Sequence, residues 1–217
     1  MKAQHQKRME ELIEKLPARF SPAHPPKLLL HSCCAPCSSA VLKRLAPHFK
    51  ITVFYYNPNI NTQNEYYTRV EEQQRLINWY NNSKAYPYPI DCRIKEYKHQ
   101  EFLTMAKGLE QCKEGGERCF RCYSLRIGRT AHEALRQGHD FFCSTLSLSP
   151  LKNAEKINEI GASFSSLKSQ WLPSDFKKKN GYLDSIILSK QLQLYRQDYC
   201  GCEYSIREAP YPEVKAL

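Results

Sequence analysis

An α/β domain with a mainly parallel sheet is the fold this sequence predicts, and two observations carry that reading. Short apolar runs without strict polar alternation recur at Lys27–Leu30, Ile51–Tyr56 and Asp140–Leu146, the pattern of strands covered on both faces. The segments between them carry apolar residues at helical spacing, and strands alternating with helices fold as crossover units around a parallel sheet. A chain of 217 residues, 41% of them hydrophobic, supports one core of ordinary size.

The elements follow in order. Met9, Leu12, Ile13 and Leu16 mark a helix over residues 5–16, and Pro17, Pro22, Pro25 and Pro26 then form a linker. Lys27–Leu30 is the first strand and leads into His31-Ser-Cys-Cys-Ala-Pro-Cys37, after which Val41, Leu42 and Leu45 begin a helix. Ile51–Tyr56 is the second strand, ended by Asn57-Pro58-Asn59. Asn64–Tyr80 reads as a helix with Glu65 and Arg69 paired at i, i+4. Further helices are expected over Tyr97–Leu109, from Cys119 through Leu135, over Asn153–Ile160 with Gly161 as its end, and over Ser185–Tyr195. Asp140–Leu146 is the third strand, and no internal repeat is present. In a sheet of this kind ligands sit outside the carboxyl ends of the strands. The loops at Cys33–Cys37, Asn57–Asn59 and Ser144–Ser149 should therefore meet in one crevice.

Composition narrows the function. No run approaches the roughly 18 apolar residues of a membrane span. Met1–Arg8 lacks the apolar stretch of a secretory signal, so a cytoplasmic location is expected, with thiols kept reduced. Ten cysteines in that setting point to metal or redox chemistry. A net charge of +10 with 14 Tyr and 9 Phe is compatible with a nucleic-acid partner, though basic charge alone is also common without one. Lys177–Lys179 with Arg196, near Trp171, Tyr182 and Tyr195, is the candidate RNA-contact stretch; the alternative is a solvated loop. Tyr55, Tyr56, Tyr66 and Tyr67 could stack on a base or simply pack.

Six cysteines form three knots: Cys33-Cys34 with Cys37 just beyond, Cys119-Phe-Arg-Cys122, and Cys200-Gly-Cys202. Thiolates held this close repel one another unless a metal binds them or they become a disulfide. A C-x-x-C at a helix start lets two thiolates reach one centre, and the helix N-terminus favours their charge. Adjacent Cys33 and Cys34 point in different directions, which suits separate irons of a cluster better than chelation of one ion. Zinc held by thiolates is the alternative. A disulfide across Cys200-Gly-Cys202 would be strained and labile, as a cycling dithiol requires; two further metal ligands are the competing reading. Cys143, in Phe-Phe-Cys, reads as core, and Cys92 and Cys112 as incidental.

The motifs His31-Ser-Cys-Cys-Ala-Pro-Cys-Ser38, Phe54-Tyr-Tyr-Asn-Pro-Asn-Ile60 with Glu65-Tyr66 and Arg69, and Arg118-Cys-Phe-Arg-Cys122 resemble those of the epoxyqueuosine reductases of the QueH type. So do Ser149-Pro-Leu-Lys-Asn153, Asp175–Tyr182 and Leu194–Cys202, in the same order. The resemblance spans residues 27–205, and divides the chain into an N-terminal helix and linker (1–26), one catalytic α/β domain (27–205) and a tail (206–217). It implies a Rossmann-like sheet related to the nucleotide alpha-hydrolase group. It also implies reduction of the epoxide of epoxyqueuosine to the cyclopentene of queuosine at the wobble position of tRNA. The partners it implies are that tRNA and an electron donor it does not identify, with no membrane. It assigns a [4Fe-4S] cluster to Cys33, Cys34, Cys119 and Cys122, and a redox-active disulfide to Cys200 and Cys202. Some relatives hold a second adjacent iron with an Asp where this chain has Cys37, so a second iron here would meet a thiolate. Leu183-Asp184 also departs from the basic residues expected there.

Removing the epoxide oxygen takes two electrons and two protons, and a tyrosine or Asp91 is a candidate proton donor. Two other readings compete. A tRNA thiolase shares this sheet, but needs a glycine-rich ATP loop after the first strand, where this chain has Ser32-Cys-Cys-Ala-Pro36. A zinc-stabilised RNA-binding module would need no redox response of Cys200 and Cys202.

Overall fold

The computed structural model describes residues 4–197 and 199–205; the expected tail at 206–217 lies outside the described residues. Five strands form one all-parallel sheet: β1 (Lys27–His31), β2 (Lys50–Tyr55), β3 (Asp91–Ile94), β4 (Phe141–Ser144) and β5 (Gln170–Trp171), in the order β3-β2-β1-β4-β5. This is a doubly wound, Rossmann-like order, and the direction of winding reverses between β1 and β4. Leu28, Leu29 and Leu30 are fully buried at the centre, and burying side chains of this size contributes about 1.5–3 kcal/mol each. Cys143 is fully buried on β4 beside them, as its apolar setting predicts.

Seven helices flank the sheet: α1 (His5–Glu14), α2 (Ala35–Leu45), α3 (Gln63–Ser83), α4 (His99–Ala106), α5 (Glu117–Arg136), α6 (Ala154–Ser163) and α7 (Gly181–Gln191). α2 packs on α3 and α7, whereas α5 packs on α4 and α6. Right-handed crossovers place these two groups on opposite faces. Met9 and Leu16 of the N-terminal part join the main core.

Four local differences from the sequence reading have physical causes. β3 alternates exposed and half-buried residues at the sheet edge, and β5 is two residues long, so neither shows an apolar run. α2 starts at Ala35, with Pro36 in its first turn, where a missing N–H costs nothing. α6 runs through Gly161 to Ser163 because Gly161 is a packing position. A Cβ there would lie 2.2 Å from the Trp171 ring. α7 spans 181–191, earlier than the expected 185–195.

Candidate active site

The first knot sits at the carboxyl end of β1, where it turns into α2. Cys34 is the N-cap of α2 and Cys37 lies in its first turn. The Sγ atoms of Cys33, Cys34 and Cys37 lie within 4.8 Å of one another, with Cys33 and Cys34 3.9 Å apart. Thiolates around one tetrahedral ion with bonds of about 2.3 Å sit about 3.8 Å apart, so the three are at metal-binding spacing. The Thr145 hydroxyl, just past β4, donates to Cys33 Sγ at 3.3 Å, and the Cys33 amide donates to Thr145 Oγ1 at 3.1 Å. Asn57, just past β2, donates to the Ser32 carbonyl at 2.8 Å. The three strand-end loops therefore meet, as the parallel sheet predicts.

The second knot opens α5, with Cys119 and Cys122 in its first turns. The third lies in the turn after α7, and Cys119, Cys122, Cys200 and Cys202 line one narrow cavity with Asn59, Phe102, Arg118, Tyr123 and Arg126. Hydrogen bonding from Cys202 holds the Cys200 thiol well below its ordinary pKa, and the same bond pushes Cys202 up. Hydrogen bonds from Cys34 and Cys37 likewise lower Cys33, whereas Cys34 is pushed up to about 12. Burial raises Cys119 to about 11. Each of the first and third knots thus shares protons unequally, one thiol poised as thiolate beside neighbours that keep theirs.

Arg126 ties the site together. It lies one turn after Cys122 on α5 and is 2% exposed. Its Nη2 donates to Asn57 Oδ1 at 2.6 Å, Nη1 to Cys122 Sγ at 3.8 Å, and Nε lies 3.3 Å from His31 Nε2. Cys122, Cys200 and Cys33 all stabilise its charge. Among the described residues no carboxylate pairs with it. A buried guanidinium without a counter-ion is costly, so its surroundings must supply negative charge, and thiolates are the groups at hand. Lys152 is also buried, with its field on Cys33, Cys122 and Cys200. Arg69 of α3 lies in the field of Cys34. His31, whose burial drops its pKa to about 3, stays neutral between Ser144 Oγ at 2.8 Å and the Tyr56 carbonyl at 3.1 Å.

The family model described as epoxyqueuosine reductase QueH matches residues 28–208. The chain belongs to the QueH family. It is 41% identical over 183 residues to the epoxyqueuosine reductase QueH of Staphylococcus epidermidis, covering 83% of this chain and 76% of that one. The QueH proteins of Streptococcus pyogenes and Thermotoga maritima are 37% and 35% identical, covering 84% and 83% of this chain and 71% and 91% of theirs. The QueH match spans all three cysteine knots.

Sequence reasoning did not single out Arg126 or Lys152. Four-residue spacing from Cys122, which puts Arg126 on the same helix face, was the available signal for the first. It also missed how α3 holds the third knot. Glu65, Arg69, Glu72 and Arg75 recur along one face of α3. Arg75 donates to the carbonyls of Leu192 and Gln193, each at 2.9 Å. Glu72 accepts from the Tyr195 amide at 2.6 Å, and Glu65 accepts from Tyr195 Oη at 3.1 Å. Arg69 binds Glu65 at 2.6 Å, as the spacing predicts, and stacks 5.2 Å from the Tyr199 ring. Gly201, at φ +107°, lies against Arg69, and its carbonyl accepts from the Asn61 amide at 2.7 Å.

Other expectations change. Asp91 starts β3 opposite Thr52, at the end of the sheet away from the thiols, because it opens a parallel strand; it is not a proton donor to this site. Trp171 is buried with Nε1 on Asn158, Lys177 Nζ donates to the carbonyls of Ser147 and Lys152, and Lys179 pairs with Glu10. The basic run 177–179 is thus largely committed to holding the fold. Tyr55 and Tyr66 are buried packing residues.

Proposed function

We propose that this chain reduces epoxyqueuosine to queuosine in tRNA, as the last step of queuosine biosynthesis, in the cytoplasm. Family membership over nearly the whole chain carries the reading, and the thiols gathered around carboxylate-free Arg126 support it. The donor set fits an iron–sulfur group: thiols only, at two helix N-termini, flanked by buried cations that an anionic centre would neutralise. In this reading Cys33, Cys34, Cys119 and Cys122 hold a [4Fe-4S] cluster, and Cys37 offers a thiolate to an adjacent iron. The cluster supplies electron storage when bound.

The chain's own residues account for the balance of the reaction. Opening an epoxide to an alkene breaks two C–O bonds and releases the oxygen as water, which takes two electrons and two protons. Oxidation of the Cys200 and Cys202 thiols to a disulfide yields both electrons and both protons. An external electron donor, of unidentified nature, then reduces the disulfide. Cys200 is poised as the thiolate and Cys202 as the proton-bearing partner. Arg126, fixed by Asn57, holds positive charge where negative charge collects. No glycine-rich phosphate loop follows β1, so turnover requires no ATP. In cells lacking the gene and any second reductase, mass analysis of tRNA nucleosides should find epoxyqueuosine in place of queuosine. Unchanged queuosine would refute the reading.

A further inference from the structure

Beside the thiol site, α4 and α5 wall an open groove of about 990 Å³, large enough for a nucleotide. Its lining includes Tyr97, Lys98, His99, Glu101, Arg129 and His132. Arg129 is distinctive among the five arginines of α5. Arg118 holds the carbonyls of Leu109, Glu110 and Cys112, Arg121 pairs with Glu117, Arg126 enters the thiol site, and Arg136 pairs with Glu133. Arg129 is exposed and has no hydrogen-bond or ion-pair partner among the described residues. Lys98 stands on the α4 wall, exposed, with only exposed Glu96 beside it at 3.3 Å. Tyr97 and His99 stack with their ring planes 13° apart. Glu101, the one carboxylate of the lining, is engaged by the Tyr56 hydroxyl.

The groove is continuous with the thiol site. Phe102, next to Glu101 on α4, lines the thiol cavity. His99 Nδ1 lies 2.7 Å from the Pro58 carbonyl, in the loop whose Asn57 holds Arg126, and His99 Nε2 lies 3.5 Å from Glu203, beside Cys202. Single-stranded RNA loops are recognised by cations on phosphates and by bases lying on aromatic or guanidinium planes.

We infer that this groove receives the anticodon-loop nucleotides flanking the substrate base, with Arg129 and Lys98 on their phosphates. The inference rests on the tRNA reading above. The test is fluorescence anisotropy of the full chain with a synthetic anticodon stem-loop carrying unmodified guanosine at the wobble position, over a salt series. Arg129→Glu and Lys98→Glu should each weaken binding about tenfold and lower the slope of log affinity against log salt by about one. Their thermal transitions should match wild type, since both side chains are exposed. Lys43→Glu, exposed on α2 at the opposite face, should bind as wild type does. Equal affinity of wild type and groove variants at every salt concentration would overturn the groove and leave the reductase reading intact. Unchanged RNA affinity with slower reduction by an acidic redox protein would reassign the groove to the electron donor. No binding by the wild type would overturn the tRNA reading as well.

Discussion

Gly201→Ala perturbs the turn that seats the dithiol, by an amount the structure sets. At φ +107° a non-glycine residue carries strain of about 1–3 kcal/mol. The new Cβ would also stand 3.0 Å from Arg69 Nη1 and 3.2 Å from Ile60 Cγ1. Arg69 is buried and held by Glu65 and Tyr199, so it yields little. The turn's other anchors along α3 remain, so the strain should lift the turn locally and leave the global fold intact. At tenfold per 1.4 kcal/mol, 1–3 kcal/mol corresponds to an increase in the lifted population from about fivefold to about a hundredfold. Hydrogen exchange of the segment around Cys200 and its alkylation rate by iodoacetamide should rise together by that factor. Wild-type exchange in the variant would refute the claim that Arg69 and Gly201 jointly seat the dithiol.

His31 remains neutral to about pH 3 when folded but accepts a proton near 6.5 when unfolded. Its contribution to stability is therefore present above pH 6.5 and declines as pH falls below it, by about 2 kcal/mol between pH 6.5 and 5. Urea unfolding across that range should show this loss in wild type and not in His31→Asn. Gly161→Ala should destabilise the fold by about 1–3 kcal/mol in urea unfolding, because overpacking against Trp171 exceeds alanine's helix advantage of about 1 kcal/mol; a more stable variant would contradict that packing. Arg126→Gln should lower iron affinity about 10- to 100-fold, as loss of a supporting hydrogen-bond partner does; wild-type iron and sulfide content after anaerobic reconstitution would deny it that role.

What the sequence reveals follows from which interactions are local. β1, β2 and β4 announce themselves as apolar runs because both faces are covered, whereas β3 borrows its order from pairing with β2 and shows no run of its own. Gly161 reads as a helix end until its neighbour Trp171, ten residues on, is seen to occupy the space a side chain would need. The three cysteine knots are legible from spacing alone. The cations that surround them are not, since Arg69, Arg126 and Lys152 come from separate elements and look like ordinary surface charges until the fold buries them. Arg129 shows the converse: only after its four helix neighbours are seen engaged does its exposed position distinguish it.

The most direct test uses anaerobically reconstituted protein, a chemical reductant and tRNA bearing epoxyqueuosine, with nucleosides resolved by mass spectrometry and no ATP added. Iron-loaded wild type should convert epoxyqueuosine to queuosine, while Cys200→Ser and iron-free protein should not. Full conversion by zinc-loaded, iron-free protein, or none by the iron-loaded enzyme, would contradict the account.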